Sequence, residues 1–413
     1  MTARNILLPL CFPCFPCFPC SLHSLCSQFR RFIRCLTRMP GRHHAVSAKE
    51  TPPRTLLSSG LLLLVLTMTV AAAPAEEYRL LTVAEDLRWP WCVTKLPDDG
   101  FLITEREGRL IHLDAAGDRH VLEGTPDTLF AGQGGYFDVV LHPKFAENRL
   151  IYLSYAEGVE SANGTAIFRA EFRDGGLRNG KQILRVKDDK TTPQHYGARM
   201  LFLADSSLLI TTGDGFEHRE DAQSRESELG KVLRIYDDGS PAGLLDEEGE
   251  PLRLWTLGHR NPQGLAIDGN SGAIYLHEHG PRGGDEINRI EAGNNYGWPA
   301  VTHGVDYSGA YVSPFKSAPG FEAPLWTWVP SIAPSGMAWY GGNLFPTWRN
   351  SLFVGALVDE EVRRLTLHKG EVVEEEALFT ELGSRIRDVR VFQDDIYLLT
   401  DSEEGALIRV VPK

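Results

Sequence analysis

Five short stretches carry side chains suited to chemistry: Gly132-Gln133-Gly134-Gly135, Gln194-His195-Tyr196-Gly197, His259-Arg260-Asn261-Pro262-Gln263, Pro330-Ser331-Ile332-Ala333 and Arg385-Ile386-Arg387-Asp388. Each alone has a plain structural explanation. A lone His is more often a satisfied structural residue than a base, GQGG is often only a tight turn, and RIRD could be a solvated strand edge. Brought together, they would supply one imidazole able to move a proton, three guanidiniums, an amide and Gly-rich backbone. Three converging arginines need an anionic partner, most simply a multiply carboxylated or phosphorylated small molecule.

Whether they converge depends on the elements that carry them. Long amphipathic helical patterns are missing, and a strand, polar turn, strand unit recurs instead. Its six copies are CVTKLPDDGFLITE, FDVVLHPKFAENRLIYLSYA, RMLFLADSSLLITTGD, GLAIDGNSGAIYLHEH, GMAWYGGNLFPTWRNSLFVGAL and DVRVFQDDIYLLTD. Their first strands begin near Val93, Phe137, Met200, Leu265, Met337 and Val389, separations of 44, 63, 65, 72 and 52 residues. Units of that length have room for about four strands. A meander repeated six times cannot bury both faces of each sheet alone, and radial stacking solves this while leaving short edges. The pattern predicts an all-β, six-bladed β-propeller with four-stranded antiparallel blades; a β-sandwich array or two separate domains would need a linker, and no Pro/Ser-rich one divides the repeats. The first strand of each blade lines the central channel, so the five stretches, each just before such a strand, should meet at one end of it. The sixth blade start carries Trp89-Pro90-Trp91.

The remainder of the chain constrains partners and compartment. The 413 residues have a formal net charge of −13, but residues 1–75 hold eight Lys and Arg against one acid, Glu50. Residues 76–413 therefore hold 34 basic and 54 acidic side chains, a net of −20. That balance disfavours nucleic acid and anionic lipid, which need a positive footprint. Six of seven cysteines lie in the first 35 residues, four of them in CFPCFPCFPC. Without a partner His or a core-forming pattern, this stretch reads as an upstream extension of the reading frame, with the true start at Met39 or later. RTLLSSGLLLLVLTMTVAAAPAEE from Arg54 has the plan of a signal peptide, and its apolar run is too short for a spanning helix of about 20 residues. Cleavage is expected after Ala75, giving a periplasmic or secreted protein without stable membrane insertion, in two parts: leader 1–75 and propeller 76–413. The mature chain then keeps one thiol, Cys92, read as a core residue.

The succession GQGG, HYGAR, LGHRNPQGLA, EHGPRGGDEINRIEAGNNYGWP, PSIAPSGMAWY and RIRDVR resembles the soluble quinoprotein aldose sugar dehydrogenases, relatives of soluble glucose dehydrogenase, over roughly residues 76–413. The resemblance implies pyrroloquinoline quinone (PQQ) and Ca2+ at the top of the channel. It implies His195 as general base, Arg260 and Asn261 on the quinone oxygens, Arg385 and Arg387 on cofactor carboxylates, an assisting hydroxyl at Ser331, and Gln133 facing the sugar. It further implies that the main-chain carbonyls of Gly280 and Pro281 hold the catalytic Ca2+, with Tyr296, Asp285 and Glu286 close by. The chemistry agrees: PQQ is a tricarboxylate, and Ca2+ takes hard oxygen ligands, backbone carbonyls included. The plain alternative for Asp285 and Glu286 is that they cap turns, and His259, His277 and His279 read as structural.

By that resemblance, an aldose would lose the proton of its anomeric hydroxyl to His195 and the C1 hydride to the quinone, giving an aldonolactone and leaving electrons for an external acceptor. The chain departs from the soluble glucose dehydrogenase branch at three places. Gln194 stands before the His where that branch has Asp, Val358 stands near its cofactor-binding Lys, and Val329 stands at its stacking Trp. Two rival readings are a propeller binding module that has lost the cofactor, and a Ca2+-dependent propeller lactonase, which would need converging carboxylate and amide ligands. Two further features stay open: Glu217–Glu228 as a solvated loop or a second Ca2+ site, and an incidental glycosylation sequon at Asn163.

Overall fold

The computed structural model describes residues 76–413, so the leader and its expected cleavage site lie outside the described residues. Each repeat becomes a hairpin because its apolar, β-branched runs are separated by turn residues free to adopt left-handed backbone, such as Asp99 at φ 65° between Pro90–Lys95 and Phe101–Glu105. Two further strands complete each unit, giving six four-stranded sheets with consecutive antiparallel strands. Blade 1 runs through Pro90–Lys95, Phe101–Glu105, Arg109–Leu113 and Arg119–Val121. Blades 2 to 5 follow the same order from inner strands Tyr136–Leu141, Gly197–Phe202, Pro262–Ile267 and Pro334–Tyr340.

Blade 6 is made from both ends of the described chain. Ile386–Phe392, Asp395–Thr400 and Gly405–Pro412 supply three strands, and Tyr78–Leu87 supplies the outermost, pairing from Tyr78 opposite Pro412 to Leu87 opposite Gly405. The ring is thereby closed by hydrogen bonds as well as by packing. A separate apolar cluster fills each of the six contacts between neighbouring blades, including the closing one, where Ala84, Leu87, Tyr397 and Leu399 of blade 6 meet Val93 and Ile103 of blade 1.

The inner strands begin about three residues earlier than the predicted starts in five of the six blades. The reason is local: every inner strand shifts register near its beginning, as between Gly197 and Met200 or between Pro334 and Met337. Such bulges bend a strand and re-aim its side chains. The bulged starts take Gln263, Arg387 and Asp388 into the sheets, whereas Gln133, His195, Arg260, Asn261, Ser331 and Arg385 stay in the turns just before them, at the channel end.

Below that end, the channel interior is ionic. Arg199 lies 3.2 Å from Asp388 and its guanidinium covers the Trp91 ring at 4.2 Å, while Arg390 binds Asp138 at 2.6 Å and Asp388 at 2.8 Å. Cys92 donates to Asp138 at 2.9 Å within the same cluster, and its thiol is pushed well up by burial. Buried charges persist only when paired, and this set ties together the inner strands of blades 1, 2, 3 and 6. Among the described residues no helix is long and apolar enough to cross a membrane.

Candidate active site at the mouth of the channel

A cavity of about 520 Å3 opens where the inner strands begin. Blade 1 contributes Trp89 and Trp91, the turn before blade 2 Gln133, blade 4 Asn261, and blade 6 Arg385 and Arg387. Of the larger grooves, one of about 660 Å3 is built around the Asp268–Ala273 turn, at the opposite end of the blade 4 strands, and carries none of these groups.

His195 is buried, and its backbone is left-handed at φ 47°. Gln133 holds that turn by accepting the His195 N–H at 2.8 Å. The imidazole Nδ1 lies 2.7 Å from Oδ1 of Asp214, whose other oxygen accepts the Trp298 indole N–H at 2.8 Å. The carboxylate thus assigns the proton to Nδ1 and leaves the Nε2 lone pair free to act. Burial is the main influence on this imidazole and pushes its pKa down to about 4; Arg260 adds to the lowering, against the pull of Asp214. His195 is therefore neutral at pH 7, the state a general base requires.

The cationic side holds four guanidiniums. Arg385 and Arg387 both grip Asp401, with nitrogen to oxygen distances of 2.9 to 3.1 Å. Against the burial that would raise it, Arg387 and Arg385 hold the Asp401 carboxyl below its usual range. Arg106, which the sequence reading did not select, lines the same cavity and donates to the carbonyls of Gly132 at 2.6 Å and Gly134 at 3.1 Å. Burial, and then Arg387, lower its pKa. Three arginines against one aspartate leave an excess of positive charge in this cavity, although residues 76–413 together carry net −20. Arg260 is buried beside it, over the Trp298 ring at 5.3 Å, donating to the carbonyls of Gly280 at 2.6 Å and His279 at 3.2 Å.

The acidic stretch of blade 4 divides in two. Asp285 accepts the Gly280 N–H at 2.9 Å, the Ala333 N–H at 2.9 Å and the Ser331 hydroxyl, so its carboxylate organises two loops. The Ser331 proton is committed to it, and the same hydroxyl accepts the Ala333 N–H at 3.3 Å. Glu286, by contrast, stands directly opposite Glu278 on the neighbouring strand. The pair lines a small cleft with Gly280, Gly284 and Tyr296, and like charges in that position repel. Burial, and then Glu278, push the Glu286 carboxyl up to about 8. The Tyr296 hydroxyl is taken up by the Arg289 carbonyl at 3.0 Å and the Glu291 N–H at 2.9 Å, so only its main-chain oxygen is available to a ligand.

Several neighbouring residues are structural. His277 and His279 each bond a carbonyl of blade 5, those of Ser335 and Pro334, at 2.6 Å. Val358 is exposed, Val329 likewise. Within Glu217–Glu228 the main-chain carbonyls of Asp221 and Ala222 converge, with that of Leu229, on the buried Lys231 ammonium. Asn163 of the sequon is fully buried, with its amide donating to Glu160 and Lys190 carbonyls, which removes it as a glycan acceptor.

Fold and site together are those of a six-bladed propeller with a buried, carboxylate-oriented histidine beside an arginine-rich cavity at the channel mouth. Residues 87–409 match the family model for Glucose / Sorbosone dehydrogenase, and the chain belongs to that family. The aldose sugar dehydrogenase YliI of Escherichia coli K12 is 39% identical over 362 residues, covering 85% of this chain and 97% of that protein. The crystal structure of the soluble E. coli aldose sugar dehydrogenase in its apo form matches with a TM-score of 0.78 at 38% identity, over 81% of this chain and all of that one. The PQQ-bound aldose sugar dehydrogenase of Streptomyces coelicolor matches with a TM-score of 0.69 at 25% identity, over 83% of this chain and all of that one.

Proposed function

We propose that this chain oxidises aldose sugars at C1 to aldonolactones, using PQQ and Ca2+, and passes the electrons to an external acceptor. The observation that carries the reading is the excess of guanidinium charge in a cavity beside a neutral, carboxylate-oriented imidazole. A PQQ tricarboxylate fits that donor set: Arg106, Arg385 and Arg387 would hold its carboxylates and Arg260 and Asn261 its quinone oxygens. Ca2+ fits Glu286 with the carbonyl-rich Gly280–Gly284 turn, all hard oxygens, beside Glu278, whose oxygens meet the His259 ring and the Arg260 N–H, and Pro281 lies in the same turn. When bound, the two supply a hydride acceptor and a Lewis acid.

The protein's own part is proton transfer and positioning. Nε2 of His195 takes the proton of the C1 hydroxyl, and Asp214 stabilises the imidazolium that results without itself taking the proton. Gln133 locks the His195 backbone and presents the rest of its amide to the sugar. Asp285 and Ser331 hold the loop that brings Gly280 to Arg260.

Adding Ca2+ and PQQ to the apoprotein and following dye reduction with a panel of aldoses tests the reading. Cofactor-dependent reduction is expected, and its absence with every sugar leaves the binding-module or lactonase readings standing. His195→Ala should lower turnover by about 10²–10⁴-fold while PQQ still binds; near-normal activity in the loaded variant would refute the base assignment. Export follows from the segment ending at Ala75, and N-terminal mass spectrometry of the exported protein should begin at Glu76.

A further inference from the structure

Two aromatic rings beside His195 have no part in the chemistry above. Phe216 lies two residues beyond Asp214 and is 45% exposed; Tyr307, in the long connection following Pro299, is 60% exposed. The Phe216 ring meets the His195 imidazole edge-on, with centroids 5.1 Å apart and planes at 77°. It stacks nearly parallel to the Tyr307 ring, 6.5 Å away at 25°. Tyr307 in turn accepts a hydrogen bond from Arg260 at 3.4 Å. The two rings thus form a wall touching both the proposed base and the proposed cofactor-contacting arginine.

Stability alone does not account for this wall. Phe216 has a left-handed backbone at φ 71°, an unfavourable conformation for a bulky residue. Its two ring contacts, to His195 and to Tyr307, leave it exposed to solvent, so packing returns little against that strain. The strain is imposed by the catalytic carboxylate itself, since Oδ1 of Asp214 accepts the Phe216 N–H at 2.8 Å as well as binding His195. One oxygen therefore fixes the base and the aromatic ring in the same act. Strained residues held in this way cluster at ligand clamps.

We infer that Phe216 and Tyr307 are the substrate wall of this site: a pyranose lays one C–H face against them while its C1 hydroxyl edge meets His195. A pyranose suits such a surface because its C–H faces are apolar and its hydroxyls lie at the edge, so an apolar wall meeting a polar, buried base matches both. The inference rests on the proposed aldose oxidation for its substrate class. It assigns KM, rather than the chemical step, to the two rings.

The test compares the wild type, Phe216→Ala, Tyr307→Ala and Phe216→Tyr, each loaded with Ca2+ and PQQ. With D-glucose and D-xylose, each Ala variant should raise KM about three- to tenfold, with kcat changed less than about threefold and the PQQ titration of the apoprotein unmoved. Phe216→Tyr should restore KM. An unchanged KM, or a KM rise matched by equal loss of PQQ affinity, overturns the inference. Saturation-transfer NMR with methyl β-D-glucopyranoside, which cannot be oxidised at C1, gives a second readout that does not need turnover. Transfer to the ring protons should be present in the wild type and lost in Phe216→Ala. If the wild type oxidises no aldose yet shows this transfer, the dehydrogenase reading fails and the wall stands; if the wild type shows none, the wall fails.

Discussion

At the residue scale, the site turns on Asp214. Its carboxylate is fully engaged by His195, Trp298 and the Phe216 backbone, so the imidazole has one orientation and one tautomer. Asp214→Asn keeps the shape but removes the charge, and its amide can place the imidazole proton on Nε2, where it blocks catalysis. Turnover should fall by on the order of 10²–10⁴-fold with PQQ binding retained, as stopped-flow reduction of the loaded enzyme would show. The pH profile follows from the lowered pKa of His195. As the proposed base, His195 acts only when neutral, so protonation should remove activity as pH falls through about 4, and kcat/KM should stay level with respect to this group from about pH 5 upward. An acid limb near 6.5, the ordinary value for His, would show that burial does not govern this group.

At the element scale, the site depends on close approach of strands to turns. Gly213 follows the second strand of blade 3, and a Cβ there would lie 2.1 Å from the His195 carbonyl oxygen, which is backbone and cannot yield cheaply. Gly213→Ala should therefore displace the left-handed His195 turn, lowering both Tm by several degrees and turnover by tenfold or more, read by calorimetry and steady-state assay. In blade 4 the relevant feature is the cross-strand pair Glu278 and Glu286. Ca2+ at about 100 times its Kd should stabilise the apoprotein by about 2.7 kcal/mol, seen as a rise in Tm. With its pKa raised to about 8, Glu286 is largely protonated at pH 7 without Ca2+, so Glu286→Gln should leave the Tm of the apoprotein close to that of the wild type, while the Ca2+-induced rise should largely vanish. A full Ca2+ response in that variant would remove Glu286 from the metal site.

At the scale of the whole molecule, the ring is only as stable as its closure. Tyr78–Leu87 covers the edge of Gly405–Pro412 and packs Ala84 and Leu87 between blades 6 and 1. Removing residues 76–87 exposes a strand edge and an apolar cluster at once, and should give a protein that aggregates or melts more than about 10 °C lower, by scanning calorimetry and light scattering. A truncated chain with unchanged Tm would mean that packing between the other blades suffices.

The repeat pattern, the number of blades and the convergence of Gln133, Asn261, Arg385 and Arg387 were legible in the sequence, because strand periodicity and the order of polar stretches are local properties of the chain. The same logic, carried one strand further, reaches residues it passed over. In an antiparallel hairpin whose first strand begins at the site, the second strand ends there, and Arg106, Asp214 and Asp401 all follow such ends. Three things were decided only in three dimensions. The bulges moved the strand starts, since register depends on the partner strand. The N-terminal strand closed blade 6, a pairing between residues more than 300 positions apart. The division of labour among the acids came last: Asp285 spends its oxygens on two loops, Asp401 on two arginines, Asp214 on the base, and Glu286 alone faces another carboxylate. A sequence states which charges exist, but a carboxylate's role is set by which donors reach it, and those donors arrive from other blades.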